Sequence, residues 1–163
     1  MLSITLLLTA SIVVGQADTA DTPLPADAIA QLQFMAGQWK TEGTFRGDRW
    51  EGTGRRRLSV SKSCLIMTGK SNIMDSAGIT GWDPATNEIV ETWYNSMGTQ
   101  VIIRYKVGPG PVWKGTVHVH APEGEHEEGT CRLEKTGGDS FTWTAKTNVT
   151  DAETKNIRIK TKR

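Results

Sequence analysis

The sequence predicts an all-β protein, an antiparallel up-and-down β-barrel of about ten strands preceded by a short N-terminal helix. After Gly37, apolar and polar residues alternate in about ten runs, and turn-forming residues follow each run within roughly a dozen positions. The 17 glycines exceed what a helical bundle tolerates, and the 6 tryptophans bring too much apolar surface for a disordered chain. Because every connection is short, successive strands are expected to pair as antiparallel neighbours and to close without exposed edges.

The clearest strand-turn-strand pattern lies between residues 78 and 99. Asp83 and Pro84 suit the first two positions of a type I turn, because the proline ring fixes φ at about −65°. Gly98 closes the strand that follows. We expect the other strands to be arranged around this hairpin.

The expected helix begins at Asp27, whose side chain could cap it, and ends at Gly37. Its large apolar residues fall near one side: Ile29, Leu32, Phe34 and Met35. A helix of this length with one apolar side is expected to plug one end of the barrel.

The chain divides into three predicted segments. Residues 1–17 carry an uncharged apolar run too short for a typical transmembrane helix, and small residues at Gly15 and Ala17 fit a signal-peptidase site. We therefore expect a signal peptide at 1–17, a flexible leader at 18–26 and a single β-barrel domain at 27–163, with no membrane span. The expected location is secreted or periplasmic.

Charge and motifs favour a binding protein over an enzyme. The formal net charge of +1 provides no field that would attract nucleic acid. The sequence contains no nucleophile elbow, zinc-protease helix or phosphate-binding loop, and no two carboxylates fall on one predicted inner face.

Two cysteines, Cys64 and Cys131, raise the possibility of a disulfide in an oxidising compartment. In the predicted strand order they lie on strands about five apart, on opposite walls of the barrel, whereas a disulfide needs Cα atoms within about 7 Å. The sequence is compatible with a disulfide and with two separate thiols.

The predicted inner face leaves the barrel either open or filled. Several glycines point inward and would leave space: Gly43, Gly52, Gly54 and Gly115. Several aromatic residues also point inward and could occupy that space: Trp39, Phe45, Trp50, Trp113, Phe141 and Trp143. A barrel of this size can hold one small ligand or be filled by its own side chains.

Arg56 is the anomaly on the apolar face of its strand. A guanidinium inside a barrel keeps its charge and needs an anion, so Arg56 could bind the carboxylate of an amphipathic ligand. Alternatively, it lies near the rim with its head in water. Trp93 and Asn95 are two residues apart on one strand and could line the same cavity.

His118 and His120 also lie two apart on one strand, and His126 follows across the next hairpin, a set of imidazoles that could bind zinc or copper. The valines of that strand are expected inside, which leaves the two histidines outside. A tight turn at Glu123-Gly124 would place His126 opposite Ala121, on the other face. This interpretation favours a solvated face without a metal.

The short helix followed by Gly37-Gln38-Trp39 and a run of hairpins resembles the opening of the lipocalin and calycin superfamily. Gly81-Trp82-Asp83, Trp93-Tyr94-Asn95 and Gly98-Thr99 are similar to blocks of secreted bacterial calycin-like domains of unassigned function, in which an acid often stands where this chain has Asn95. The resemblance implies that Trp39 plugs the barrel beneath a basic residue of the last strand, Arg158 or Arg163.

The expected function is therefore that of a secreted or periplasmic barrel that binds a small apolar or amphipathic ligand, through Trp39, Arg56, Trp93 and Asn95. One alternative is a filled barrel that acts as a surface interaction module. Another is a haem or metal barrel that uses the strand of His118 and His120, since a nitric-oxide-binding haem barrel opens with a similar Gly-x-Trp. No cofactor is expected in the leading interpretation.

Overall fold

The computed structural model describes residues 23–160 and confirms the predicted fold class. Helix α1 (Ala26–Met35) is followed by ten strands: β1 (Gly37–Phe45), β2 (Asp48–Leu58), β3 (Cys64–Ser71), β4 (Asp75–Asp83), β5 (Glu88–Asn95), β6 (Gln100–Lys106), β7 (Val112–His120), β8 (His126–Gly137), β9 (Ser140–Thr147) and β10 (Asp151–Arg158). Each strand pairs with its neighbours in the chain, and β10 pairs with β1, so the antiparallel sheet closes into an up-and-down barrel. The predicted signal peptide at 1–17, most of the leader and Arg163 lie outside the described residues.

The strands alternate between a buried and a wet face, as the sequence pattern predicts. In β6, Val101, Ile103 and Tyr105 are buried inside the barrel. The same alternation around the sheet builds one interior core, to which α1 and the strands β1 to β9 contribute apolar side chains.

Short turns set the register of the hairpins. Arg46 and Gly47 both have positive φ, 52° and 85°, as a two-residue type I′ turn requires. Counted inside the closing hydrogen bonds Asn95–Thr99 and Ala121–Glu125, the β5–β6 and β7–β8 loops have three residues each and end in Gly98 and Gly124, at φ 80° and 82°. An αL glycine at the third position is typical of such loops.

Helix α1 closes the end of the barrel at which β1, β7 and β9 begin. It begins at Ala26 with Pro25 as its N-cap and has no side-chain cap, so the expected capping role of Asp27 is wrong. The buried residues of the helix are Ala28, Gln31, Leu32 and Met35, whereas Ile29 is 37% exposed. The helix closes the barrel end as predicted, but the side of the helix that is buried differs from the side that the sequence predicts.

Both cysteines are free thiols. Cys64 lies in β3 and Cys131 in β8, on well-separated strands of the barrel, which agrees with two separate thiols. Between residues 23 and 160, no helix is long and apolar enough to cross a membrane.

Candidate functional site: the barrel cavity

A cavity of about 130 Å³ lies inside the barrel. It extends from Trp39 and Phe141 at the plugged end to Met74 and Ser76 beside the β3–β4 turn. An engineered apolar cavity of roughly 150 Å³ is known to hold benzene, so the space matches about one aromatic ring. The inward aromatic residues therefore fill the plugged end without filling the whole barrel.

Arg56 and Glu91 form an ion pair at the wall of this cavity. Arg56 Nη1 donates to Glu91 Oε2 at 2.9 Å and Nη2 to Oε1 at 3.4 Å, which is the forked geometry that guanidinium and carboxylate prefer. Glu91 is only 3% exposed. Thr80 Oγ1 donates a further hydrogen bond to Oε2 at 3.2 Å. The anion that Arg56 requires is thus supplied by the protein itself.

Sequence reasoning missed Glu91, although a signal for it was present. One face of β5 carries Ile89, Glu91 and Trp93, so an acidic residue lies between two inward apolar residues. Arg56 is likewise a charged residue on the inward face of β2. Two opposite charges on inner faces would have predicted the pair.

Tyr105 lines the same cavity as the ion pair and lies within range of both charges. Burial raises the pKa of its hydroxyl well above the usual range, and the negative charge of Glu91 raises it further. The hydroxyl therefore stays protonated at any physiological pH and can act as a hydrogen-bond donor.

Trp39 lines the plugged end and is held on both sides. Its indole N–H donates to the Met35 carbonyl of α1 at 2.9 Å. The Arg158 guanidinium stacks 4.4 Å from the Trp39 ring centre and donates to the Phe34 and Ala36 carbonyls. The basic residue expected over Trp39 is thus Arg158, and the contact ties α1 to β10.

Trp143 brings an unused donor to the cavity. Its side chain lines the cavity, and its buried indole N–H is close enough to the Tyr105 hydroxyl to lower the pKa of that group, but it makes no hydrogen bond of standard geometry with any described residue. A buried donor without a partner costs free energy that a ligand acceptor could recover.

The structure brings Trp39, Arg56 and Trp93 together around one cavity, but it does not bring Asn95 there. Asn95 lies at the end of β5, and its Oδ1 accepts hydrogen bonds from the backbone N–H groups of Met97 and Thr99, both at 3.0 Å. Asn95 is thus not a lining residue: its Oδ1 holds the β5–β6 turn, and its Nδ2 donates to Sδ of Met74, a residue that does line the cavity, at 3.2 Å.

At the opposite end from α1, Glu127 points into the barrel beneath the β9–β10 turn. It pairs with Arg46 and accepts a hydrogen bond from Thr147 Oγ1 at 2.6 Å. Burial raises the pKa of Glu127, but the hydrogen bonds from Thr147 and Thr150 and the charge of Arg46 outweigh it and leave the pKa lowered. The carboxylate is therefore ionised and closes part of this end.

All three histidines of the chain lie on the outer face of β7 and β8. His118 and His120 are outside, as expected, because Val117 and Val119 alternate with them. The expected position of His126 is wrong, because it pairs with His120 and lies on the same face. The loop holds three residues, with Ala121 opposite Glu125, and this one-residue difference reverses the face. No imidazole faces the cavity, so an imidazole-bound haem would find no ligand there.

No protein-family model matches the chain, and no curated protein matches it. Among solved structures, the chain is similar to a redesigned β-barrel, mFAP1, bound to DFHBI (13% identity, 82% of this chain, 100% of that chain, TM-score 0.43). It is also similar to EF1p2_mFAP2b bound to DFHBI, with 10% identity, 83% of this chain and 100% of that chain covered, and a TM-score of 0.44. A de novo designed fluorescence-activating β-barrel matches with 16% identity, 83% of this chain and 100% of that chain covered, and a TM-score of 0.39. The likeness is one of barrel architecture at most, and nothing about a ligand of this chain follows from it.

Proposed function

We propose that this protein is a small-molecule-binding barrel that holds a neutral, mostly apolar molecule of about one aromatic ring. The observation that carries the proposal is the cavity of about 130 Å³, which the inward side chains leave unfilled. Trp39 and Trp93 supply apolar walls, and Trp143 supplies a hydrogen-bond donor. Concave, mostly apolar sites with a few polar groups are typical of small-molecule binding.

The charges of the site support a neutral ligand over the carboxylate that Arg56 alone suggests. Glu91 already occupies the fork of the Arg56 guanidinium. A ligand carboxylate would displace Glu91 or lie beside it as a second buried negative charge, and either arrangement is costly.

Acceptor-matched probes test the proposal by isothermal titration calorimetry. Acetophenone carries one acceptor oxygen, ethylbenzene is a neutral analogue of similar size without it, and benzoate carries a negative charge. We expect acetophenone to bind about fivefold more tightly than ethylbenzene, since a hydrogen bond to the Trp143 N–H contributes about 1 kcal/mol, and benzoate to bind most weakly.

Two tryptophan variants separate the donor from the cavity. Trp143→Phe is expected to reduce the preference for acetophenone over ethylbenzene, because it leaves the Tyr105 hydroxyl as the remaining donor beside it. Trp82→Phe is the matched control, because Trp82 also has a buried indole N–H without a partner among the described residues but does not line the cavity. Failure of both neutral probes to bind would contradict the function, and an unchanged preference in Trp143→Phe would contradict the role of the donor.

The proposal includes a calycin-like family and a secreted or periplasmic location. The short helix, the Gly37-Gln38-Trp39 motif at the plug and the up-and-down barrel support the first. The uncharged run at 1–17 supports the second. Expression of the full chain in a secreting host tests the location by N-terminal sequencing: the mature protein should begin at Asp18, and a cell-associated protein that retains residues 1–17 would contradict it.

A further inference from the structure

The outer face of the β7–β8 hairpin carries a compact group of histidine and glutamate side chains, none of which lines the cavity. His118 pairs across the strands with Glu128, and His120 pairs with His126, so four side chains form a square on one face of the sheet. The three-residue loop at 122–124 creates this square, because a two-residue loop would have sent His126 to the interior.

The distances suit a shared ion. Glu128 Oε1 lies 2.8 Å from His126 Nε2 and 3.4 Å from His118 Nδ1. One ligand atom from each of the three residues lies within 4.8 Å of the other two. In a tetrahedral zinc site with bonds of about 2.1 Å, ligand atoms are about 3.4 Å apart, so small rotations of exposed side chains are enough.

The surroundings leave these donors available. Among the described residues, Glu128 has ion-pair contacts only with His118 and His126, and no lysine or arginine neutralises it. The His118 and His126 rings are stacked 5.9 Å apart, which brings two imidazoles to the same side of the carboxylate.

We propose that His118, His126 and Glu128 form a surface site for one divalent transition-metal ion, with zinc as the reference ion and solvent in the fourth position. Two imidazoles and one carboxylate are the donor set of an open zinc site, and copper prefers similar ligands. His120 lies beside the site, with its ring centre 4.6 Å from that of His126, but it is not one of the three ligands.

The test is calorimetric titration of Zn²⁺ into the tag-free protein, with the stoichiometry checked by native mass spectrometry. We expect one Zn²⁺ per chain with a dissociation constant in the micromolar range. His118→Ala and His126→Ala should each weaken binding at least about tenfold, and the double variant should abolish it. These side chains face outward, so the variants are expected to keep the circular dichroism spectrum of the barrel.

Three control variants locate the ion. Glu128→Gln should weaken binding, whereas Glu134→Gln should not, because Glu134 lies on the same strand and is paired with Arg132. His120→Ala and Cys64→Ser should each change the affinity less than about threefold. The proposal would be overturned by no binding at 100 µM Zn²⁺ (about a hundredfold above the expected constant), by binding that survives the double variant, or by an equal loss in His120→Ala or Cys64→Ser.

Discussion

Two side chains of opposite charge meet inside the barrel at Arg56 and Glu91. Glu91 is 3% exposed and the Arg56 side chain 18%, so the carboxylate depends on its guanidinium partner and on Thr80 for compensation. Removing one partner of such a pair strands the other charge, whereas removing both leaves an apolar wall. The ion pair therefore fixes the polarity of the cavity more than it stabilises the fold.

Replacement of one partner should be far more harmful than replacement of both. Arg56→Met is expected to lower the free energy of unfolding by about 3 kcal/mol, because it leaves Glu91 buried without its counter-charge. The double variant Arg56→Met/Glu91→Leu should be within about 1 kcal/mol of the native protein. Urea unfolding measures both, and Arg55→Met, at an exposed position of the same strand, is the control. A double variant no more stable than Arg56→Met would refute this account.

Replacing Gln31 by an apolar residue should stabilise the protein. Its side chain is 2% exposed, and neither its oxygen nor its nitrogen has a hydrogen-bond partner among the described residues. Gln31→Met should therefore raise the free energy of unfolding by about 1 kcal/mol, measured by urea unfolding. Gln33→Met, on the exposed side of α1, should have little effect. Destabilisation by Gln31→Met would indicate that the amide has a partner, such as bound water.

The Cys131 thiol should be inert in the folded protein. Burial raises its pKa to about 12, and the negative charge of Glu91 adds to the effect. Since thiol reagents attack the thiolate, Ellman's reagent at pH 8 should titrate Cys64 in the native protein and Cys131 only after denaturation. Rapid labelling of Cys131 in the native protein, or a disulfide in unreduced material, would contradict the structure.

At the scale of the element, alternation in the sequence predicted the strands, but loop length decided which face some residues occupy. His126 was misplaced because Pro122-Glu123-Gly124 fits a two-residue loop as well as a three-residue one. The inner face of α1 was misplaced because residues 26–35 include small and polar side chains that the barrel end buries, Ala28 and Gln31 among them. Tertiary packing determines the face of His126 and the buried face of α1, and neither can be read from the local sequence pattern.

Asn95 shows the same limit at a strand end. Asn95 lies two residues after Trp93, and this spacing predicts that both side chains are on the same face of the strand. The spacing alone does not indicate that β5 ends at Asn95. Once a strand ends, an asparagine side chain finds backbone N–H groups of the turn within reach, and this local bonding prevails over the cavity.

The inward glycines should differ sharply in their tolerance of a methyl group. A Cβ at Gly43 would contact the Glu153 carbonyl and lie 2.7 Å from Thr154 Cα of the neighbouring strand, whereas a Cβ at Gly54 would meet only Thr68 O at 3.6 Å. Gly43→Ala should thus destabilise the protein by about 1–3 kcal/mol, and Gly54→Ala by less than about 1 kcal/mol. Thermal unfolding of the two variants measures these losses of stability. Equal losses in both variants would show that the β1–β10 contact is not tight.

For the whole molecule, sequence and structure agree on a closed ten-strand barrel with a helical plug. The sequence could not decide whether the interior is open or filled, because that depends on how the aromatic side chains pack against each other. Phe34, Trp39 and Phe141 cluster at the plugged end, with the Trp39 and Phe141 ring centres 4.9 Å apart. Their packing leaves the cavity beside Trp143 and the Arg56–Glu91 pair.

The most direct test of the account follows the indole N–H resonances of the 6 tryptophans by NMR as acetophenone is added to the folded protein. Binding in the cavity should give saturable shifts, with the largest change at Trp143, whose N–H gains an acceptor, and little change at Trp82, which lies outside the cavity. Resonances that do not move, or that all move slightly without saturation, would contradict the claim that the barrel binds a small molecule in its cavity.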